Sequence, residues 1–231
     1  MIEDARRRGL DVTADAYPYN AWSSTITVLV PDKRYEHPPS VERALADVGG
    51  AANVLIVRHA AHPEYEFQTL DALARDRKTT PVDLFMQIVK DGGAGIVCTS
   101  MVDEDIRAFY QRPWVMVGSD GGINARHPRG AGTFPKVLGR YVREQKWITL
   151  PDAIRKMTRA PADRLQLNDR GRLEVGAIAD VVVFNPNTVI DRSTFSDPMV
   201  LPAGIEKVFV GGELVWDEGK PAGGRAGRVL H

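Results

Sequence analysis

Trp114-Val115-Met116-Val117-Gly118-Ser119-Asp120-Gly121 is the stretch whose reading decides the fold. Four β-favouring residues, Trp114 to Val117, run into a small-residue turn that presents a single carboxylate, Asp120. In a parallel α/β barrel, functional groups stand where strands end and loops begin. An aspartate just past an apolar strand is therefore a candidate acid/base or metal ligand. The same residues also satisfy an Asp-Gly turn, since both favour turns for local backbone reasons. The surrounding chain separates the two readings.

Upstream of this stretch, short apolar runs alternate with helical patterns. Strands are expected over 10–14, 53–58, 95–98 and 113–118, the run Asn53-Val-Leu-Ile-Val-Arg58 being the strongest. Helices are expected over 40–48 with Ser40 as N-cap, 69–77, 81–90, 104–110, 136–144 and 150–157, the last extending towards Leu165. Thr80 caps the 81–90 helix and Pro81 takes its first position, where the missing N–H costs nothing. Residues 20–30 read as a long loop with some extended structure. Such alternation argues for parallel βα units. From Gly171 the pattern becomes a series of brief β runs, with Gly211-Gly212 as a hairpin signal between the last two. The expected organisation is an α/β region over 1–170 and a small β subdomain over 171–231.

The 231 residues are 43% hydrophobic and 26% charged, with 30 basic and 30 acidic side chains. A formal charge of zero gives no global field for nucleic acid or an anionic membrane, so neither is expected as a partner. Cys98 is the one cysteine, which excludes an internal disulfide framework and fits a reducing, cytoplasmic setting. No run approaches the ~20 apolar residues of a membrane span. The opening, Met1 to Gly9, reads as the last turns of an amphipathic helix, with arginines near its end and Gly9 as the stop. That reading expects further residues upstream.

The carboxy-terminal blocks Gly171-Arg-Leu-Glu-Val-Gly176, Ala179-Asp180-Val-Val-Val-Phe184 and Val208-Phe-Val-Gly-Gly-Glu-Leu-Val215 resemble the end of amidohydrolase-superfamily enzymes. Two further segments resemble the N-acyl-D-amino-acid deacylases (D-aminoacylases). One is Asp11-Val-Thr-Ala-Asp15-Ala-Tyr17-Pro18-Tyr19-Asn-Ala-Trp-Ser23-Ser24-Thr25. The other is Gly118-Ser-Asp120-Gly with His127-Pro128-Arg129 and Gly132-Thr-Phe-Pro-Lys-Val-Leu-Gly-Arg-Tyr141. The resemblance runs through nearly the whole chain in order, and corresponds to the carboxy-terminal half of that family's sequence. It implies the second half of a metal-dependent, TIM-like (β/α) barrel plus part of a small β-sandwich.

The implied chemistry is hydrolysis of the amide bond of N-acyl-D-amino acids, with zinc lowering the pKa of a bound water to about 7. Asp120 matches the family's acid/base aspartate and could also touch a second metal. Arg129 matches a clamp for the substrate carboxylate, and Ser23 a residue holding the same end of the substrate. Taken alone, Arg129 reads as a surface arginine and Ser23 as a loop hydrogen-bonder. Asp15 and Tyr17 read as supporting groups at a strand end. His127 reads as shaping its loop or orienting Arg129, Asp180 as bonding backbone at a strand entry, and Cys98 as a small core hydrophobe. His59 and His62 are three apart, short of the three or four ligands zinc needs. The family's metal-binding histidines and its bridging cysteine or glutamate have no counterpart here. The resemblance therefore implies part of a longer enzyme, inactive or poorly folded by itself, with strand edges unpaired. Two alternatives remain. One is a dihydroorotase- or hydantoinase-like cyclic-amide hydrolase, which shares the closing β segment. The other is a non-catalytic module.

Overall fold

Helix α1 (Ile2–Arg7) leads into β1 (Ala14–Ala16), and β2 (Ala21–Thr25) follows the Tyr-Pro-Tyr turn. Helix α2 (Pro38–Asp47), β3 (Val54–Arg58), β4 (Gln68–Thr69), α3 (Leu70–Asp76), α4 (Pro81–Lys90) and β5 (Gly95–Thr99) come next. Then α5 (Asp103–Tyr110) precedes β6 (Val115–Val117). Helix α6 (Arg129–Lys136) continues without a break as a π-helix over Val137–Glu144, and α7 (Leu150–Met157) and α8 (Arg159–Arg164) follow it. The chain closes with β7 (Val181–Phe184), β8 (Ile205–Val210), β9 (Glu213–Asp217) and β10 (Lys220–Pro221). This computed structural model describes residues 1–122 and 126–230.

Three sheets result among the described residues. β1 and β6 pair in parallel, with Ala14 opposite Val115 and Ala16 opposite Val117. The second sheet has the order β2-β5-β3-β4 and is antiparallel throughout. The third, β10-β9-β8-β7, is likewise antiparallel. Gly211 and Gly212, at φ 58° and 84°, make its β8–β9 turn, as the Gly-Gly pair predicts. Asp180 stands at the entry to β7 and accepts the Gly211 N–H at 2.8 Å, while also pairing with Arg170. No helix among the described residues is long and apolar enough to cross a membrane.

The strand over Val54–Arg58 departs from expectation in one respect. Its unbroken apolar run suggests a parallel strand covered on both faces, yet β3 is antiparallel to β5. Both faces are covered all the same. Val54 and Ile56 enter the main core with Phe85, Leu70, Ile88 and Ile96, between the second sheet and α2, α3 and α4. Val57 and Val97 point the other way, into a small cluster with Ala21, against which Leu55 and Phe195 pack. Burial on both sides, not parallel pairing, writes that run.

Caps and breakers act as their chemistry requires, with three differences. Thr69, Thr80 and Thr149 each accept an N–H in the first turn of α3, α4 and α7. Ser40 does not cap α2. Pro38 and Pro39 open that helix, and the Ser40 hydroxyl donates to Asp32 at 2.7 Å. Pro135, which should break a helix, lies inside α6, and the hydrogen bonding shifts to the π pattern just after it. Residues 171–175 form turns, with Leu173 and Val175 exposed, and add no strand.

Phe85 is 0% exposed at the centre of the main core. Phe85→Ala should destabilise the protein by about 3–5 kcal/mol, read as a lower urea midpoint with little change in slope. A loss under about 1 kcal/mol would mean that this core is not one cooperative unit.

Candidate active site

The parallel β1–β6 pair delivers two loops to one end. Tyr17-Pro18-Tyr19 follows β1 and Gly118-Ser119-Asp120-Gly121 follows β6, with the Gly118 N–H donating to Ala16 O at 3.2 Å. The far end of β6 is held by Lys156, fully buried in α7, whose ammonium donates to Val115 O at 2.9 Å and to Arg112 O. Burial lowers its pKa. Arg155 adds a bond to Pro113 O at 3.1 Å. The start of the strand is thus fixed by side chains of the helix beneath it.

After the strand, Asp120 takes a left-handed backbone, φ 45°, which aspartate tolerates better than most residues. Gly121 then comes so near Gly130 that a Cβ would lie 2.5 Å from the Gly130 Cα. That backbone contact brings Asp120 beside Arg129, and Arg129 Nη2 meets Asp120 Oδ2 at 2.9 Å. Arg129 is 9% exposed, whereas the Asp120 side chain is 70% exposed. A pair this open on one side is worth at most about 1 kcal/mol, so its importance is orientation. The guanidinium lies over the Tyr17 ring, 4.9 Å from its centroid, and its buried Nε has no hydrogen-bond partner. Burial raises the Tyr17 pKa against the pull of Arg129, and Asp120 adds to the rise.

His127 holds the arginine's backbone. Its Nδ1 accepts the Arg129 N–H at 3.0 Å, so Nε2 carries the proton and donates to Ala21 O at 3.0 Å. The ring is 0% exposed and meets Tyr17, Tyr19 and Phe195 edge-on, with centroids 6.1, 5.4 and 5.3 Å away. Burial first, then the Arg129 charge, lowers its pKa to about 4 from the ordinary 6.5. The bond to Ala21 opposes that shift only in part. This neutral imidazole is a support for Arg129, as its sequence setting suggests.

A further supporting layer joins other residues of the motif segments to Ser193, which lies outside them. The Tyr19 hydroxyl and Ser193 Oγ both donate to Pro128 O at 3.3 Å, and Tyr141 donates to Pro18 O at 3.1 Å. Lys136 lies over the Tyr19 ring at 4.0 Å. Gly132 leaves room for this packing, because a Cβ there would fall 2.2 Å from the Tyr19 hydroxyl and 2.6 Å from Ser193 Oγ. Asp191, Ser193 and Phe195 read as ordinary loop in the sequence. Gly132 signals a close approach but not which segment approaches.

Ser23 stands apart from the pair. No hydrogen bond joins it to Arg129 or Asp120 among the described residues. It pairs with Val97 across β2–β5 and shares the face of Ala21 and Val97, which is packed by Phe195. Ser23 therefore sits on the side of the sheet turned towards His127. Asp15 underlies Gly118, where a Cβ would be 2.5 Å from its Oδ2. His59 is buried and its Nδ1 accepts the His62 N–H at 3.1 Å, while His62 pairs with Glu64 at 2.9 Å. Cys98 is fully buried in the main core.

The fit to a metal is incomplete. Among the described residues no three His, Cys, Asp or Glu side chains converge to hold an ion. Zinc takes three or four protein ligands, and Asp120, the one candidate, faces Arg129. These residues alone do not make a zinc centre.

The model of the family described as "Amidohydrolase family" matches residues 42–216. This chain belongs to the amidohydrolase family. Among curated relatives, the N-acyl-D-glutamate deacylase of Alcaligenes xylosoxydans xylosoxydans is 38% identical over 231 residues, 99% of this chain and 43% of that protein. The D-aminoacylase of the same organism is 37% identical over 232 residues, 100% of this chain and 44% of that protein. Among solved structures, N-acyl-D-glutamate deacylase from Bordetella bronchiseptica, complexed with zinc and a phosphonate mimic of the tetrahedral intermediate, superposes with a TM-score of 0.83 at 36% identity. It is matched over 99% of this chain and 44% of its own. A D-aminoacylase structure gives a TM-score of 0.84 at 34% identity, with the same coverage of 99% and 44%. The amidohydrolase chain thus spans less than half the length of these relatives.

Stability should report the buried imidazole. Between about pH 6.5 and about pH 4 the unfolded chain protonates His127 while the native state does not. Stability then falls as the pH drops through that window and levels off below it, a loss of about 3 kcal/mol. The difference in urea-unfolding free energy between wild type and His127→Gln should shrink by this amount from neutral to acid pH. A pH-independent difference would show that the ring is not held neutral.

Proposed function

We propose that this chain supplies the acid/base carboxylate and the substrate clamp of a zinc-dependent N-acyl-D-amino-acid deacylase, acting within a longer enzyme or assembly that provides the metal's ligands. The observation that carries the reading is the buried Arg129 guanidinium, with its Nε unpartnered and the Asp120 carboxylate 2.9 Å from Nη2. A planar guanidinium takes a carboxylate through two parallel charge-assisted bonds, and the α-carboxylate of the substrate is such a group. Tyr17 forms the other wall of that subsite, its ring lying against the guanidinium. Ser23, on the face turned towards His127, completes the hold on the same end of the substrate.

With the α-carboxylate on Arg129, the adjoining amide comes within reach of Asp120. Its carboxylate takes a proton from the attacking water as the water oxygen bonds to the amide carbon. It returns that proton to the nitrogen as the C–N bond breaks, releasing a carboxylic acid and a free D-amino acid. Left-handed backbone at Asp120 and the Gly121–Gly130 contact set this carboxylate at an exposed loop tip beside Arg129. The names of the relatives, all N-acyl-D-amino-acid deacylases, support this substrate class.

The test grafts residues 1–231 in place of the matching segment of the Bordetella deacylase and assays N-acyl-D-amino acids. Asp120→Asn should lower kcat by about 10²–10⁴-fold and leave KM within a few-fold. Arg129→Ala should chiefly raise KM, by about 10–100-fold for a lost charge-assisted pair. If both variants changed the same constant by the same factor, the division of roles would be wrong.

A further inference from the structure

Arg126 precedes His127 and stands three residues before Arg129. Its Nη1 meets Glu66 Oε2 at 3.0 Å, and its guanidinium lies over the Phe67 ring at 5.5 Å. Glu66 belongs to the β3–β4 connection, 60 residues away in sequence. Its other oxygen accepts the His59 N–H at 3.3 Å, so both carboxylate oxygens are engaged. Phe67 adopts a left-handed backbone, φ 64°, and its N–H donates to Ile56 O at 2.7 Å. The turn that presents Glu66 is therefore fastened to β3. From the opposite edge of the same sheet, Ala21 O of β2 accepts the His127 Nε2–H at 3.0 Å. One antiparallel sheet thus touches the segment carrying Arg129 at two separate points.

We propose that Glu66 is a positioning residue for the carboxylate clamp, acting through Arg126. The sheet grips 126–129 at one end through Glu66–Arg126 and in the middle through Ala21–His127. His127 is fully buried and Pro128 is rigid, so little slack lies between the ion pair and Arg129. Displacing Arg126 then turns the guanidinium off the Tyr17 ring and away from Asp120. The second sheet in this role is a jig for the clamp as well as a separate core. The functional consequence rests on the clamp reading above; the two-point grip does not.

Hydrogen exchange on the full chain tests the grip. Glu66→Gln keeps the shape of the side chain and removes its charge. It should speed exchange across 126–136, including the Arg129 amide held by His127, by about 10-fold. The 81–90 segment and the thermal midpoint should stay as in wild type. The charge-swapped pair Glu66→Arg with Arg126→Glu restores the ion pair but not the acceptor for the His59 N–H, so it should recover part of the slow exchange across 126–136, which a generic defect would not. Unchanged exchange over 126–136, or acceleration spread equally into 81–90, overturns the proposal. A second arm titrates N-acetyl-D-alanine and reads affinity by chemical-shift changes. Glu66→Gln should weaken it by roughly 3–10-fold, and Arg129→Ala should abolish it. Weakening by Arg129→Ala alone sinks the positioning role. No binding by wild type, or equal binding by Arg129→Ala, sinks the clamp reading and leaves the exchange result to decide the grip.

Discussion

One neutral imidazole ties this site together. The His127 ring accepts the Arg129 backbone N–H and donates its Nε2–H to Ala21 O, so it joins the 127–129 segment to the second sheet through two directional bonds. A charged ring loses the bond at Nδ1, and a ring turned over loses both, because Nδ1 must accept while Nε2 donates. Burial among Tyr17, Tyr19 and Phe195 enforces both conditions. The Tyr-Pro-Tyr turn, the β2 strand and the 191–195 segment all pack on that ring or its neighbours. Arg129 inherits its place from them.

The charges around the site follow a common pattern. Lys156 is fully buried and satisfied by main-chain oxygens at the start of β6. Arg129 is nearly buried and only partly satisfied, with one donor left over. Asp191 is similar, its Oδ1 lacking a hydrogen bond although Arg140 Nε stands 3.5 Å away and burial raises its pKa. Leaving a buried polar group unpaired costs about 1–3 kcal/mol. A fold keeps such groups where packing elsewhere offsets that loss, and here Arg129 Nε lies at the start of α6 and Asp191 Oδ1 beside Arg140 of its π-helical continuation.

Much of this architecture is legible in the residues. The Thr80 cap, the Gly-Gly hairpin and the strand into Gly118-Ser119-Asp120 are local signals, and the two motifs single out Asp120 and Arg129, though not the ion pair between them. The antiparallel order of the second sheet is not, because a strand covered on both faces looks the same whichever way its neighbours run. Nor are Glu66, Ser193 and Phe195, whose partners lie roughly 60 residues or more along the chain. No periodicity or spacing rule reaches that far. Pro135 misleads for the opposite reason. It sends a strong local signal, yet α6 runs through it and continues as a π-helix from Val137.

The touching backbones of Gly121 and Gly130 carry an implication for how such a chain can diverge. Gly121 cannot acquire a methyl group without main chain moving against main chain, and that movement would part the Asp120 carboxylate from the Arg129 guanidinium. Mutational drift at this spot is closed off. A change at the neighbouring tyrosine turn would instead act through side chains, because Tyr17 and Tyr19 meet His127 and Arg129 by their rings.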